Sequence, residues 1–148
     1  MIASCNVEIQ SEIRADARIS SMEIIRYDMQ KLPFIAREHA SSYCGLFKIS
    51  CGNVHGFAEF ELPAGSHPSD LVKWASAFRA LKGMELSQVM QYIQQYQELW
   101  GNERMLFLHE AVSNLLLNLK HASTSDVRLS RDDIRAFLMQ YALTYYSF

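Results

Sequence analysis

The sequence lacks the short motifs that mark most active sites. It has no glycine-rich phosphate loop, no dinucleotide fingerprint, no serine elbow and no helix with paired histidines at zinc spacing. Its five histidines, His39, His55, His67, His109 and His121, are scattered, whereas a metal site needs three or four convergent ligands. No metal and no cofactor is expected. Basic charge is also short: 14 lysines and arginines stand against 16 acids, a net charge of −2. Duplex binding leaves a basic stripe on some element, so nucleic acid is not an expected partner. No apolar run approaches the ~20 residues of a membrane span, since Asn114 and Asn118 bound Leu115-Leu116-Leu117. The N-terminus shows no basic region followed by an apolar core. A cytoplasmic protein without membrane contact is the expectation.

Cysteine is scarce too. Cys5, Cys44 and Cys51 make an odd count, which fits a reducing compartment better than a disulfide framework. If Cys44 and Cys51 share a strand, they lie about 23 Å apart at ~3.3 Å per residue, too far to bridge.

What remains is ordinary globular material. The 148 residues are 49% hydrophobic and 20% charged, the usage and size of one domain. Such a domain buries roughly 68–70% of its unfolded surface and needs no staples. Residues 1–21 read as a leader or an edge strand, because Cys5, Val7 and Ile9 alternate with polar neighbours. Residues 22–148 read as a single α+β domain.

Met22–Leu32, with Ile24, Ile25, Tyr27 and Met29, predicts a strand stopped by Pro33. A polar loop follows to Ser42. Tyr43–Cys51 and Val54–Leu62 then form two alternating runs joined by Gly52-Asn53, a hairpin signal. That turn fixes a register. Cys51 opposes Val54, Ile49 opposes Gly56, Phe47 opposes Ala58 and Gly45 opposes Phe60 on an apolar face with room beside its glycines. Ser50–His55, Lys48–Phe57 and Leu46–Glu59 fall on the other, mixed face. An antiparallel sheet covered on one side by helices shows this asymmetry.

The period then becomes helical. Pro68 or Ser69 opens a helix with the stripe Leu71, Trp74, Ala75, Phe78 and Leu81, ended by Gly83. A second runs from about Glu85 to Trp100 and stops at Gly101. A third, capped by Asn102, presents Met105, Leu108, Val112, Leu115 and Leu119, with Leu106, Ala111 and Leu116 widening the stripe. Ser130 and Asp133 suggest a capping box. A fourth helix is expected beyond it, with Ile134, Phe137, Leu138, Tyr141 and Tyr145 on its face. The fold class is thus a small antiparallel sheet of about three strands, with the hairpin at 43–62, followed by about four helices packed on one face.

Three groups of residues invite chemistry. Arg37, Glu38 and His39, with Tyr43, lie in the loop after the first strand, where a rigid scaffold places binding groups. Cys44 has His39 nearby in sequence, and a thiolate needs such a neighbour. Glu59 points away from the expected helices, and Tyr146 and Phe148 depart from the last helical stripe, so these three are candidates for a partner surface.

The strand beginning Glu23-Ile24-Ile25, the stretch Leu32-Pro33-Phe34, the hairpin with Gly56-Phe57-Ala58-Glu59, and the helices to Lys120 together resemble the N-terminal capping domain of the enolase superfamily. The mandelate-racemase and muconate-lactonising branch is the most similar. Gly56-Phe57-Ala58-Glu59 is similar to the family's Gly-x-Gly-Glu, with Ala58 in place of the second glycine. The resemblance covers residues 22–120 and leaves 121–148 as an added C-terminal helix. It implies that Ile35–Tyr43 is the loop that closes over a barrel mouth. The barrel that carries such a family's base and metal ligands needs ~200 residues or more, which this chain does not contain. The expected function is a non-catalytic cap-like domain acting by protein binding or self-association as a homo-oligomer. One alternative is the cap subunit of a split enzyme whose barrel is a separate chain. Another is a small stand-alone enzyme that uses the Cys44 thiol.

Overall fold

The computed structural model describes residues 17–27, 43–62, 68–121 and 131–148, with the backbone alone for 131–133. The proposed strand around Cys5, Val7 and Ile9, the far end of the first strand and the loop with Arg37, Glu38 and His39 lie outside the described residues.

Four strands, β1 (Ser21–Tyr27), β2 (Cys44–Cys51), β3 (Val54–Glu61) and β4 (Ala142–Ser147), form one sheet in the order β3-β2-β1-β4. All neighbours are antiparallel. The hairpin has the expected register, from Cys51 opposite Val54 to Gly45 opposite Phe60. Gly52 takes a φ of +60°, and no other residue of the turn is left-handed. This is the demand of a two-residue turn with glycine in its first central position.

The helices follow: α1 (Leu71–Ala75) with a 3₁₀ continuation Ser76–Leu81, α2 (Leu86–Gln95), α3 (Gln97–His121) and α4 (Arg131–Met139). Asp70, not Ser69, caps α1 by accepting the Lys73 amide at 3.1 Å. α2 ends at Gln95, with Tyr96 as its C-cap, short of the expected Trp100. Gly101 breaks the chain where expected, with φ 80° and ψ 166° inside α3.

One sheet face carries the main core. Its cross-strand rows are Phe148–Met22–Ile49–Gly56, Tyr146–Ile24–Phe47–Ala58 and Thr144–Arg26–Gly45–Phe60. α1, α2 and α3 close over it through Leu71, Ala75, Phe78, Leu81, Val89, Ile93, Leu108, Val112 and Leu115, all buried. The room expected beside the glycines is filled. At Gly56 the α3 backbone takes it, and at Gly45 the Phe60 ring does.

α3 also guards the sheet edge. In β3 the backbone groups of His55 and Phe57 point away from β2. The Phe57 amide donates to Asn114 Oδ1 at 3.0 Å, and Asn118 Nδ2 donates to the His55 carbonyl at 2.6 Å. A bare edge is a template for unwanted pairing, and two asparagines one helical turn apart close this one.

Two expectations change. The fold takes in residues ahead of Met22: Ile19 is buried, and it exchanges backbone bonds with Gly83 and Met84 at the turn before α2. The added C-terminal segment is not one helix. α4 stops at Met139, and Ala142–Ser147 becomes β4. The sequence Ala-Leu-Thr-Tyr-Tyr-Ser alternates and is rich in strand-favouring residues, and pairing with β1 satisfies it.

α4 lies across the second sheet face. There Leu138 packs on Tyr27, Cys44, Leu46 and Phe57. Arg135 grips Glu23 of β1 with both forks, at 2.6 and 2.7 Å, and Tyr145 donates to the same carboxylate at 2.8 Å. Burial alone would raise the Glu23 pKa. The hydrogen bonds from Arg135 and Tyr145, with Lys48 at 3.8 Å, outweigh it and hold the carboxyl below its ordinary 4.5. A folded pKa below the unfolded one gives stability that is present above about 4.5 and is lost as pH falls through the depressed value. Glu23→Gln should therefore be less stable than the parent at neutral pH. The gap should close on the acid side of 4.5 in denaturant titrations run across pH. A gap that stayed constant with pH would show that the carboxylate charge contributes nothing.

Candidate functional site

The second sheet face is where polar and reactive side chains gather. Its rows run Tyr27–Cys44–Glu61, Tyr145–Ile25–Leu46–Glu59, Ser147–Glu23–Lys48–Phe57 and Ser21–Ser50–His55. α4 covers its middle. Beside α4, towards β3, the face opens into a cleft of about 250 Å³ lined by Leu46, Glu59, Glu110 and Ile134. Three separate units meet there: the hairpin gives Leu46 and Glu59, α3 gives Glu110, and α4 gives Ile134. Two carboxylates thus flank two apolar side chains, and Ile134 is about half exposed.

The neighbouring Tyr27 phenol is buried, and the carboxylates of Glu59 and Glu61 lie around it. Burial first, and those charges second, push its pKa far above the ordinary value. It therefore stays a neutral hydroxyl beside the acidic rim. The arrangement suits a ligand that brings positive charge and an apolar flank.

A second arrangement lies at the turn end of the same face. Ser50 Oγ and His55 Nδ1 are 2.7 Å apart, the distance of a nucleophile and its base. Ser50 is only 3% exposed, and a nucleophile has to meet its substrate. The pair instead ties β2 to β3, and Ser20 braces the turn beside it: its Oγ donates to the Ser50 carbonyl at 3.1 Å and accepts the Gly52 amide at 3.0 Å.

No family model matches the chain, and no curated protein or solved structure matches it. Among the described residues no group of three or more His, Cys, Asp or Glu side chains is placed to hold a metal ion. No helix among them is long and apolar enough to cross a membrane.

The residues singled out in the sequence fall as follows. Arg37, Glu38 and His39 lie outside the described residues. Tyr43 is not a surface group: it is buried in the main core, with the Arg26 guanidinium 4.1 Å over its ring. Burial pushes its phenol up, and Arg26 offsets part of that. Glu59 is exposed and lines the cleft. Tyr146 and Phe148 are not the exposed aromatics they were expected to be. Their rings stack at 4.6 Å on the core face of β4, and Phe148 is 8% exposed. The strand period turns Tyr145 outward instead, at 41%. Cys44 and Cys51 form no disulfide and face opposite sides of the sheet. Cys44 is 1% exposed beneath α4.

Glu110, Ile134 and the Glu23–Arg135 tie were missed. The hairpin register already set Leu46 beside Glu59. Placing Glu110 against them required knowing that α3 crosses the β3 edge, and Asn114 and Asn118 within an apolar helix were the available sign.

Proposed function

We propose that the chain is a cap-like binding domain that holds a partner protein at the cleft on the second sheet face. The reading rests on the resemblance of residues 22–120 to a capping domain. It rests also on one observation, that Glu59 and Glu110 reach the same cleft as Leu46 and Ile134 from three separate units. Convergent carboxylates beside apolar side chains favour a basic and apolar segment of a partner, because charge steers the approach and apolar contact holds it.

The test is affinity capture from native extract with the tagged chain and with its Glu59→Lys, Glu110→Lys double variant. A protein recovered in near-equal amount by the parent and lost from the variant is the expected result. Were that protein a barrel-type polypeptide, this chain would be the cap of a split enzyme. A partner recovered equally by both would remove the cleft from the proposal.

A further inference from the structure

The two edges of the sheet are treated differently. The β3 edge is closed by Asn114 and Asn118 and carries the exposed charges Glu59 and Glu61. Among the described residues the β4 edge has neither device. Met22 and Phe148 exchange both backbone bonds, at 2.8 and 2.9 Å. By the alternation of an antiparallel ladder, Leu143, Tyr145 and Ser147 turn their amides and carbonyls outward. Among the described residues no strand pairs with that outer side. Residues 142–148 hold no charged residue and no proline, the usual means of blunting an edge. Leu143 is 46% exposed beside the exposed Tyr145. A bulge between Arg26 and Tyr27 disturbs only the Ala142 end.

We infer that β4 pairs with β4 of a second copy of this chain, antiparallel about a two-fold axis, to make one continuous eight-stranded sheet. The inference goes beyond the binding reading above: it concerns the opposite edge of the sheet from the cleft and does not depend on it. A two-fold axis at the middle of β4 sets this segment against the same segment of the partner, so charge of one sign along it would oppose itself. The strand has none to oppose itself. With the axis at Tyr145, that ring faces the partner subunit's Tyr145, and Leu143 faces the partner subunit's Ser147. Aromatic pairs across strands are favourable. Tyr145 is already held in place by its hydrogen bond to Glu23, so little freedom is lost on pairing.

The register gives a specific test. Analytical ultracentrifugation of the chain over roughly 1 µM to 1 mM, the span of weak specific complexes, should show a reversible dimer. The double variant Leu143→Lys, Ser147→Lys sets like charges face to face twice and should raise the dissociation constant by about a hundredfold. The variant Leu143→Lys, Ser147→Glu sets opposite charges face to face and should dimerise within several-fold of the parent. Circular dichroism of both checks that the half-exposed positions leave the fold intact. A parent that is monomeric throughout overturns the inference, and so does a dimer that tolerates the two lysines. A dimer dissolved instead by Glu59→Lys, Glu110→Lys would overturn it as well, while placing self-association at the cleft and leaving the binding reading standing.

Discussion

Cutting Phe107 back to alanine will cost about 3–5 kcal/mol, the range for a buried phenylalanine. The melting temperature should fall by roughly 10 °C or more. Phe107 is the ring on which the sheet and the helices meet. Its centroid lies 5.4 Å from Phe47 and 4.9 Å from Phe60 on the sheet. It lies 5.6 Å from Trp74 and 5.7 Å from Phe78 on the helical side. Removing it leaves a void that four rings line. Those rings belong to three different elements, so they cannot collapse together without moving the sheet against α1. The adjacent residue supplies the control. Leu106 is 72% exposed, and Leu106→Ala should change stability by less than about 0.5 kcal/mol. Urea titrations of both variants check the contrast. Equal losses from the two positions would mean that α3 is rotated from the arrangement described.

That contrast also shows what the sequence held. The apolar spacing of α3 marks Met105, Leu108, Val112, Leu115 and Leu119 as its buried side; the first four are buried and Leu119 is partly buried. Leu106 fits the widened stripe by hydrophobicity but not by angle. Counting about 100° per residue puts it on the far side of the helix from Leu108. The same count sets Phe107 on the flank shared by Ala111, Asn114 and Asn118, and this is the flank that meets β3.

The hairpin was legible for a stricter reason. A two-residue turn leaves no freedom in register, so Ser50–His55 and Leu46–Glu59 followed at once. The C-terminal segment was not legible in the same way. Phe137, Leu138, Tyr141 and Tyr145 suit a helical stripe, whereas Tyr145 and Tyr146 also suit the two sides of a strand. What decides is the free edge of β1, a tertiary fact, and short segments yield to such context. The cleft depends on the same fact, since α4 reaches the second face only because β4 returns along β1. Ile134 therefore had no local mark.

The heaviest dependence on a single atom is at Gly56. Gly56→Ala should destabilise the domain by about 3 kcal/mol or more, at or beyond the upper end for overpacking. A methyl group there would meet the Ala111 carbonyl oxygen, and it would lie 2.5 Å from the Leu115 amide nitrogen and 2.6 Å from the Leu115 Cβ. Two of those three atoms are helix backbone, so no side-chain rotation clears them. α3 has to lift from β3. The lift would draw Asn114 from the Phe57 amide and Asn118 from the His55 carbonyl, uncovering an edge that the fold keeps closed. Exchange of the Phe57 amide should accelerate in Gly56→Ala beyond the general loss of stability, and the variant should aggregate on partial unfolding. Gly52→Ala separates this from the ordinary cost of losing a glycine. No atom lies within 4 Å of a Cβ at Gly52, and only its φ of +60° resists the change. That left-handed strain is worth about 1–2 kcal/mol. If the two substitutions prove equally mild, α3 does not rest on β3 as closely as the structure places it, and the protected edge must owe its closure to something else.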